Sequence, residues 1–161
     1  MKVRLVKLNS YGNLQLTPGN WVQIKGVGYR MVESVFSDKI SYVNSAYSSE
    51  QHIADVSNIS PIPPTKEILE KNGFYWGYSG KEEEFMRDGN RIRFGKHWVF
   101  DEGEGSISII LPSEDSGEII IDDGRNNRNI FFSFKDRIYI HEIQQALRLA
   151  GLVEIANNFK V

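Results

Sequence analysis

Polar and apolar residues alternate along the first sixty positions of the chain. Val3, Leu5 and Leu8 open the pattern, and the runs Trp21-Val22-Gln23-Ile24-Lys25, 29–36, Lys39–Val43 and 51–56 continue it with β-branched and aromatic residues. A period near two puts alternate side chains on one face, as in a half-buried strand. Turn chemistry separates the runs at Tyr11-Gly12-Asn13, Gly26-Val27-Gly28 and Ser37-Asp38. The strongest turn is Thr17-Pro18-Gly19-Asn20, where proline fixes φ at one central position and glycine accepts positive φ at the next. Five short strands so close together predict a small closed barrel of the SH3-like kind, because closure removes exposed edges.

The pattern changes after the proline-rich hinge Ser60-Pro61-Ile62-Pro63-Pro64-Thr65. Thr65 is placed to cap a short helix, Lys66–Lys71, which Asn72-Gly73 ends. A run of strands follows at 83–87, 91–94, His97–Asp101, 106–111, 118–121 and 129–134, with Gly- and Asp-bearing turns between them. Ile107-Ser108-Ile109 alternates as a half-buried strand does, whereas Ile119-Ile120-Ile121 reads as buried on both faces. From 138 to 150 the period lengthens. Ile140, Ile143, Leu147 and Ala150 form one apolar stripe of a helix that Gly151 stops, and the simplest assembly lays that stripe on the second sheet. The expected fold class is therefore α+β and β-dominated: an SH3-like barrel over 1–60, a proline-rich linker and short helix over 61–73, and an antiparallel sheet with one C-terminal helix over 74–161.

Composition narrows the partners. The chain has 161 residues, a formal net charge of −2, a pI near 5.9 and no cysteine. Duplex DNA is argued against, since such binders carry a basic excess to neutralise phosphates. Residues 1–64 hold six Lys/Arg against four Asp/Glu, and 65–161 hold thirteen against seventeen, so neither half is strongly polarised. Without cysteine there are no disulfides, no thiolate nucleophile and no Cys-ligated zinc, which fits a reducing compartment. No run approaches the length of a transmembrane helix and the N-terminus lacks a signal-peptide core. A cytoplasmic protein that binds no membrane is expected.

Three segments carry a resemblance. Leu16-Thr17-Pro18-Gly19-Asn20-Trp21-Val22, the stretch from Pro61 to Phe74 that includes Pro64-Thr65-Lys66-Glu67-Ile68-Leu69, and Tyr139-Ile140-His141-Glu142-Ile143-Gln144-Gln145 occur in this order. Together they resemble a family of small, mostly uncharacterised proteins encoded by Bacteroides-type gut bacteria and their phages. Glu142 and Gln145 depart from it, standing where that family tends to show Gln and Asn. The resemblance implies a barrel, a sheet-and-helix half and a phage or mobile-element setting. It implies no activity.

Chemistry-bearing residues are sparse. His52, His97 and His141 lie 45 and 44 residues apart, so no pair has metal-ligand spacing on one helix face. No nucleophile elbow or phosphate loop occurs, and Gly26-Val27-Gly28 lacks the third glycine and helix of a dinucleotide site. No catalytic residue, cofactor or metal is therefore expected. The acidic clusters Glu82-Glu83-Glu84, Asp101-Glu102-Gly103-Glu104 and Asp122-Asp123 can in principle hold Mg²⁺ or Ca²⁺, but solvated loop carboxylates are commoner.

Basic and aromatic residues offer more. Arg91 and Arg93, two apart on a strand, can grip phosphate or carboxylate; Trp98 can stack on a base; and Arg125 and Arg128 can add charge from another loop. A solvent-facing strand whose arginines pair with Glu82–Glu84 is the plainer explanation. His141, Gln144, Gln145 and Arg148 fall opposite the apolar stripe and form a candidate partner surface. Tyr42, Tyr47 and Trp21 can line a groove on the barrel. The function expected from these features is non-enzymatic binding of an anionic small molecule, such as a nucleotide signal sequestered to counter host defence. A structural or docking component, for example a virion part or an inhibitor of a host protein, is the first alternative. A metal-dependent enzyme using the acidic loops is the second.

Overall fold

The computed structural model describes residues 4–8, 12–45, 47–77, 84–87, 90–93, 96–102, 107–113, 117–134 and 137–161, with the backbone alone for 4–8, 12–15, 84–87 and 90–93. The alternating first half gives strands β1 (Arg4–Leu8), β2 (Gly12–Leu16), β3 (Trp21–Ile24), β4 (Gly28–Val35), β5 (Lys39–Val43) and β6 (Gln51–Asp55). A 3-10 turn at Val56–Asn58 leads into the two-residue β7 (Ile59–Ser60). β1 and β2 pair as a separate hairpin, and the other strands form an antiparallel sheet in the order β6-β5-β4-β3-β7. Val22, Ile24, Val32, Ile40 and Tyr42 point to one side and build the core with Leu16. A register shift between Val32 and Ser34 marks a bulge in β4, which bends the strand and raises its twist.

This sheet is open, with β6 and β7 as its edges, so the closed SH3-like barrel expected from the strand count is not formed. Two assignments account for the difference. The first strand does not join the five. It pairs instead with Gly12–Leu16, where the Gly12-Asn13 turn chemistry hides a strand. The fifth strand of the sheet is β7, which pairs with β3 through Gln23↔Ser60 and Ile24↔Ile59 alone. The expected turn Thr17-Pro18-Gly19-Asn20 does form. The Asn20 N–H donates to the Thr17 carbonyl at 3.1 Å and Gly19 has φ 88, the positive value of a type II turn.

Thr65 caps α1 (Lys66–Lys71), its hydroxyl accepting the Ile68 N–H at 3.3 Å. Strands β8 (Tyr75–Gly77), β9 (Glu84–Arg87), β10 (Asn90–Arg93), β11 (His97–Asp101), β12 (Ile107–Leu111), β13 (Glu118–Asp123) and β14 (Arg128–Ser133) follow. β9 and β10 form a hairpin, and the rest make a second antiparallel sheet in the order β14-β13-β12-β11-β8. The central β12 is buried along its whole length, Ser108 included. It is thus not the half-buried strand that Ile107-Ser108-Ile109 suggests. Ile109 pairs with Ile121 on one face and Ile110 with Ile120 on the other, and both pairs are sealed from solvent.

The C-terminal segment contains α2 (Ile140–Leu149) and the short α3 (Val153–Asn157). The stripe of Ile140, Ile143, Leu147 and Ala150 is buried as its spacing predicts. Gly151, with φ 84, ends α2. Its N–H donates to the Arg148 carbonyl and that of Leu152 to the Leu147 carbonyl, the Schellman pattern. No helix among the described residues is long and apolar enough to cross a membrane. The molecule is an α+β protein dominated by its two antiparallel sheets.

The chain divides into two compact units. The first comprises residues 1–62, 139–145 and 161, and the second comprises 63–138 and 146–160. The change near residue 62 falls at the proline connector, but residues 139–145 group with the first unit. The expected placement of the whole helix on the second sheet is corrected accordingly.

Candidate functional site

In the first unit the polar side of α2 is not a free ridge. Gln144 is fully buried, and its side-chain amide reads two backbone groups of the proline turn. The Trp21 N–H donates to Gln144 Oε1 at 2.9 Å, and Gln144 Nε2 donates to the Gly19 carbonyl at 2.9 Å. Beside it, Asn20 Oδ1 accepts from the Thr17 N–H at 2.8 Å, the Thr17 hydroxyl at 3.1 Å and Gln145 Nε2 at 3.2 Å. Two of the three segments carrying the resemblance therefore meet here, and they bond to each other. His141 is 1% exposed, stacks on Tyr139 with ring centres 6.2 Å apart, and its Nδ1 makes no hydrogen bond among the described residues. Burial drives its pKa down to about 3, so the imidazole is neutral. The partner surface proposed for His141, Gln144, Gln145 and Arg148 is corrected on this basis: the first two face the interior. Arg148 is half-buried and donates to Asn157 Oδ1 at 3.2 Å.

The expected anion site is described only in part. Trp98 is 3% exposed and meets Trp76 edge-on across β11 and β8, with ring centres 5.5 Å apart, so it is a sheet residue and not a stacking platform. Arg91 and Arg93 occupy alternate positions of β10, and their side chains lie outside the described residues. So do Glu82 and Glu83, and the Glu84 side chain. Arg128 is committed to structure. Its Nε donates to Asp123 Oδ2 at 3.1 Å and its Nη2 to the Ala150 carbonyl at 2.8 Å. Asp123, expected as a solvated loop carboxylate, is instead 1% exposed at the end of β13. The Asn126 amide, assisted by Arg128, holds its carboxyl below the usual range against the cost of burial. Arg125 Nε stands 3.6 Å from the same carboxylate, and Arg125 lines a cavity.

That cavity, about 220 Å³, lies in the second unit beside the start of α3, with Arg125, Ile107 and Leu152 in its wall. A larger one, about 390 Å³, is lined by Glu154 and Ile155 of α3 and by the residues that follow it. Glu102, Glu154 and Ile155 line both, so the two adjoin as lobes of one cleft whose lining includes both carboxylates. Neither glutamate side chain has a hydrogen bond or ion pair among the described residues. The larger lobe has an aromatic floor: Phe74 and Phe100 pack 5.7 Å apart, and Phe159 is 3% exposed beside them. Lys71 and Lys160 stand at its rim. Two carboxylates that make no ion pair among the described residues, beside an apolar floor, can take a cation attached to an apolar body through charge-assisted hydrogen bonds and buried area together. The same lining also holds Arg125, Lys71 and Lys160.

Glu102 is legible in the sequence as part of an acidic cluster, whereas Glu154, Asn72 and Phe159 carry no local signal of a site. The Asn72-Gly73 pair was legible as a helix stop, and nothing local tells that its side chain reaches residue 160. His52 and His97 belong to different units. His52 stacks on Tyr42 and bonds to Asn44 at 2.9 Å in the first unit, and His97 is buried in β11 of the second. Among the described residues no three His, Asp or Glu side chains are grouped as a metal site requires. Tyr42 is buried and Tyr47 fully exposed, so the two do not share a groove wall with Trp21. No protein-family model matches the chain, and no curated protein or solved structure matches it.

Proposed function

We propose that the chain is a non-enzymatic binding protein whose ligand is a peptide segment carrying a cation beside an apolar side chain. The observation that carries this reading is the pair Glu102 and Glu154, carboxylates without an ion pair among the described residues and shared by both lobes of a cleft lined by Phe74 and Phe100. A lysine or arginine of the ligand sits between the glutamates, and its apolar neighbour enters the larger lobe. Each charge-assisted hydrogen bond contributes about 1.5–3 kcal/mol, and burying one aromatic side chain adds a similar amount. Association costs offset much of that sum, so a dissociation constant on the order of 0.1–1 mM is expected for a short segment. In the phage or mobile-element setting that the resemblance implies, the segment belongs to a host protein. This favours the docking reading over the sequestering of an anionic nucleotide.

The test is an NMR titration of the protein with blocked Phe-Lys dipeptide, with blocked Phe-Glu as the charge control. Saturable shifts at the Glu102 and Glu154 amides are expected for Phe-Lys alone, weakened at least tenfold in the Glu102→Gln, Glu154→Gln double variant. Equal binding of the two dipeptides removes the carboxylates from recognition. A nucleotide panel run on the same sample addresses the anionic reading. Binding there that Arg91→Ala and Arg93→Ala abolish would replace the cleft with the β10 arginines.

A further inference from the structure

The larger lobe has a wall made of the chain's own segment Asn158, Phe159 and Lys160, held in the way a bound peptide is held. Asn72 Nδ2 donates to the Lys160 carbonyl at 2.6 Å while Asn72 Oδ1 accepts the Lys160 N–H at 2.8 Å. One side-chain amide thus satisfies both backbone groups of one residue, which is how a neighbouring strand would pair with it and is blind to side-chain identity. A third bond, Asn72 Nδ2 to the Ile68 carbonyl at 2.8 Å, fixes that amide on the end of α1. Specificity comes from the next residue along: Phe159 is buried in the floor beside Phe74 and Phe100. Lys160 lines the lobe, yet its ammonium makes no ion pair among the described residues.

We infer that residues 158–160 are an intramolecular occupant of the cleft, and that the external ligand is a segment with an aromatic residue followed by a cation, which displaces them. This rests on the cleft reading above and adds its regulation. The incoming segment repeats the Asn72 backbone pairing and the aromatic contact. The occupant raises the concentration of ligand needed, because an intramolecular competitor is present at high effective concentration.

The probe is the pentapeptide Asn-Asn-Phe-Lys-Val, the sequence of residues 157–161. Phe159→Ala is expected to bind it at least tenfold more tightly than the wild type, and adding Asn72→Ala should remove that gain. In the wild type, hydrogen exchange of the Lys160 amide should quicken when peptide is in excess, which tests displacement without any substitution. Equal affinity for wild type and Phe159→Ala, with Lys160 exchange unchanged, overturns the inference while leaving the cleft as a site. Tight binding by Phe159→Ala that Glu102→Gln and Glu154→Gln do not weaken keeps the displaced occupant and removes the cation contact. No binding by either protein overturns both.

Discussion

His141 and Glu142 are adjacent, both substantially buried, and titrate in opposite senses. Burial lowers the His141 pKa to about 3 and raises that of Glu142 to about 6, the latter opposed by the bond its Oε2 accepts from the Tyr139 N–H. From the ordinary value of 6.5 down to 3, the unfolded histidine takes a proton that the folded one refuses, so stability falls with pH by about 1.4 kcal/mol per unit. Glu142 contributes stability that is fully present below 4.5 and is lost as pH rises through 6. Between pH 4.5 and 6 the two proton balances cancel. Asp123 and Glu67 have lowered values, so their contributions are lost only as pH falls below 3.8 and 4.5 respectively. Urea unfolding across this range should therefore give nearly constant stability for the wild type, whereas Glu142→Gln should decline throughout it. A wild-type slope that Glu142→Gln leaves unchanged would mean that one of the two groups titrates normally.

At the level of elements, strand and helix periods were largely legible because they are local. Lys39–Val43, His97–Asp101 and Lys66–Lys71 appear in the fold with the bounds that their patterns suggest, and the α2 stripe is buried where its spacing puts it. What local pattern could not carry is a partner far away in sequence. Gln144 looks like a surface residue until its bonds to Trp21 and Gly19, 123 and 125 positions distant, are known. Ser108 disguises a central strand, and five-residue α3 is too short to display a period. Asp123 is the clearest instance, since an Asp-Gly pair reads as a wet turn. In the fold, Arg128 joins the β13–β14 hairpin through Asp123 to the end of α2 at Ala150. Asp123→Ala should cost about 1.5–3 kcal/mol, the range for hydrogen bonds to a charged group. In a double-mutant cycle with Arg128→Ala the two losses should fall short of additivity by at least about 0.5 kcal/mol. Strictly additive losses would show that the hairpin and the helix end are held by something else.

For the molecule as a whole, the proline connector marks a change of unit without marking a cut that leaves the first unit whole. That unit needs residues 139–145, because Gln144 supplies the partners of the Trp21 N–H and the Gly19 carbonyl, and Gln145 one of the donors to Asn20. A buried backbone group left without its partner costs about 1–3 kcal/mol, and a sixty-residue domain has little stability to lose. A fragment of residues 1–62 should consequently give a poorly dispersed amide spectrum. In the full-length chain Gln144→Leu, close to isosteric but unable to bond, should lower stability by about 2–4 kcal/mol and increase exchange at the Trp21 amide more than at core amides of β4. Glu142→Gln, two residues away on the same helix and outside this network, serves as the control for helix damage. If residues 1–62 alone gave a spectrum that overlays on the full-length one, the unit would be continuous in sequence. The Gln144 bonds would then be an accessory to a fold that stands without them.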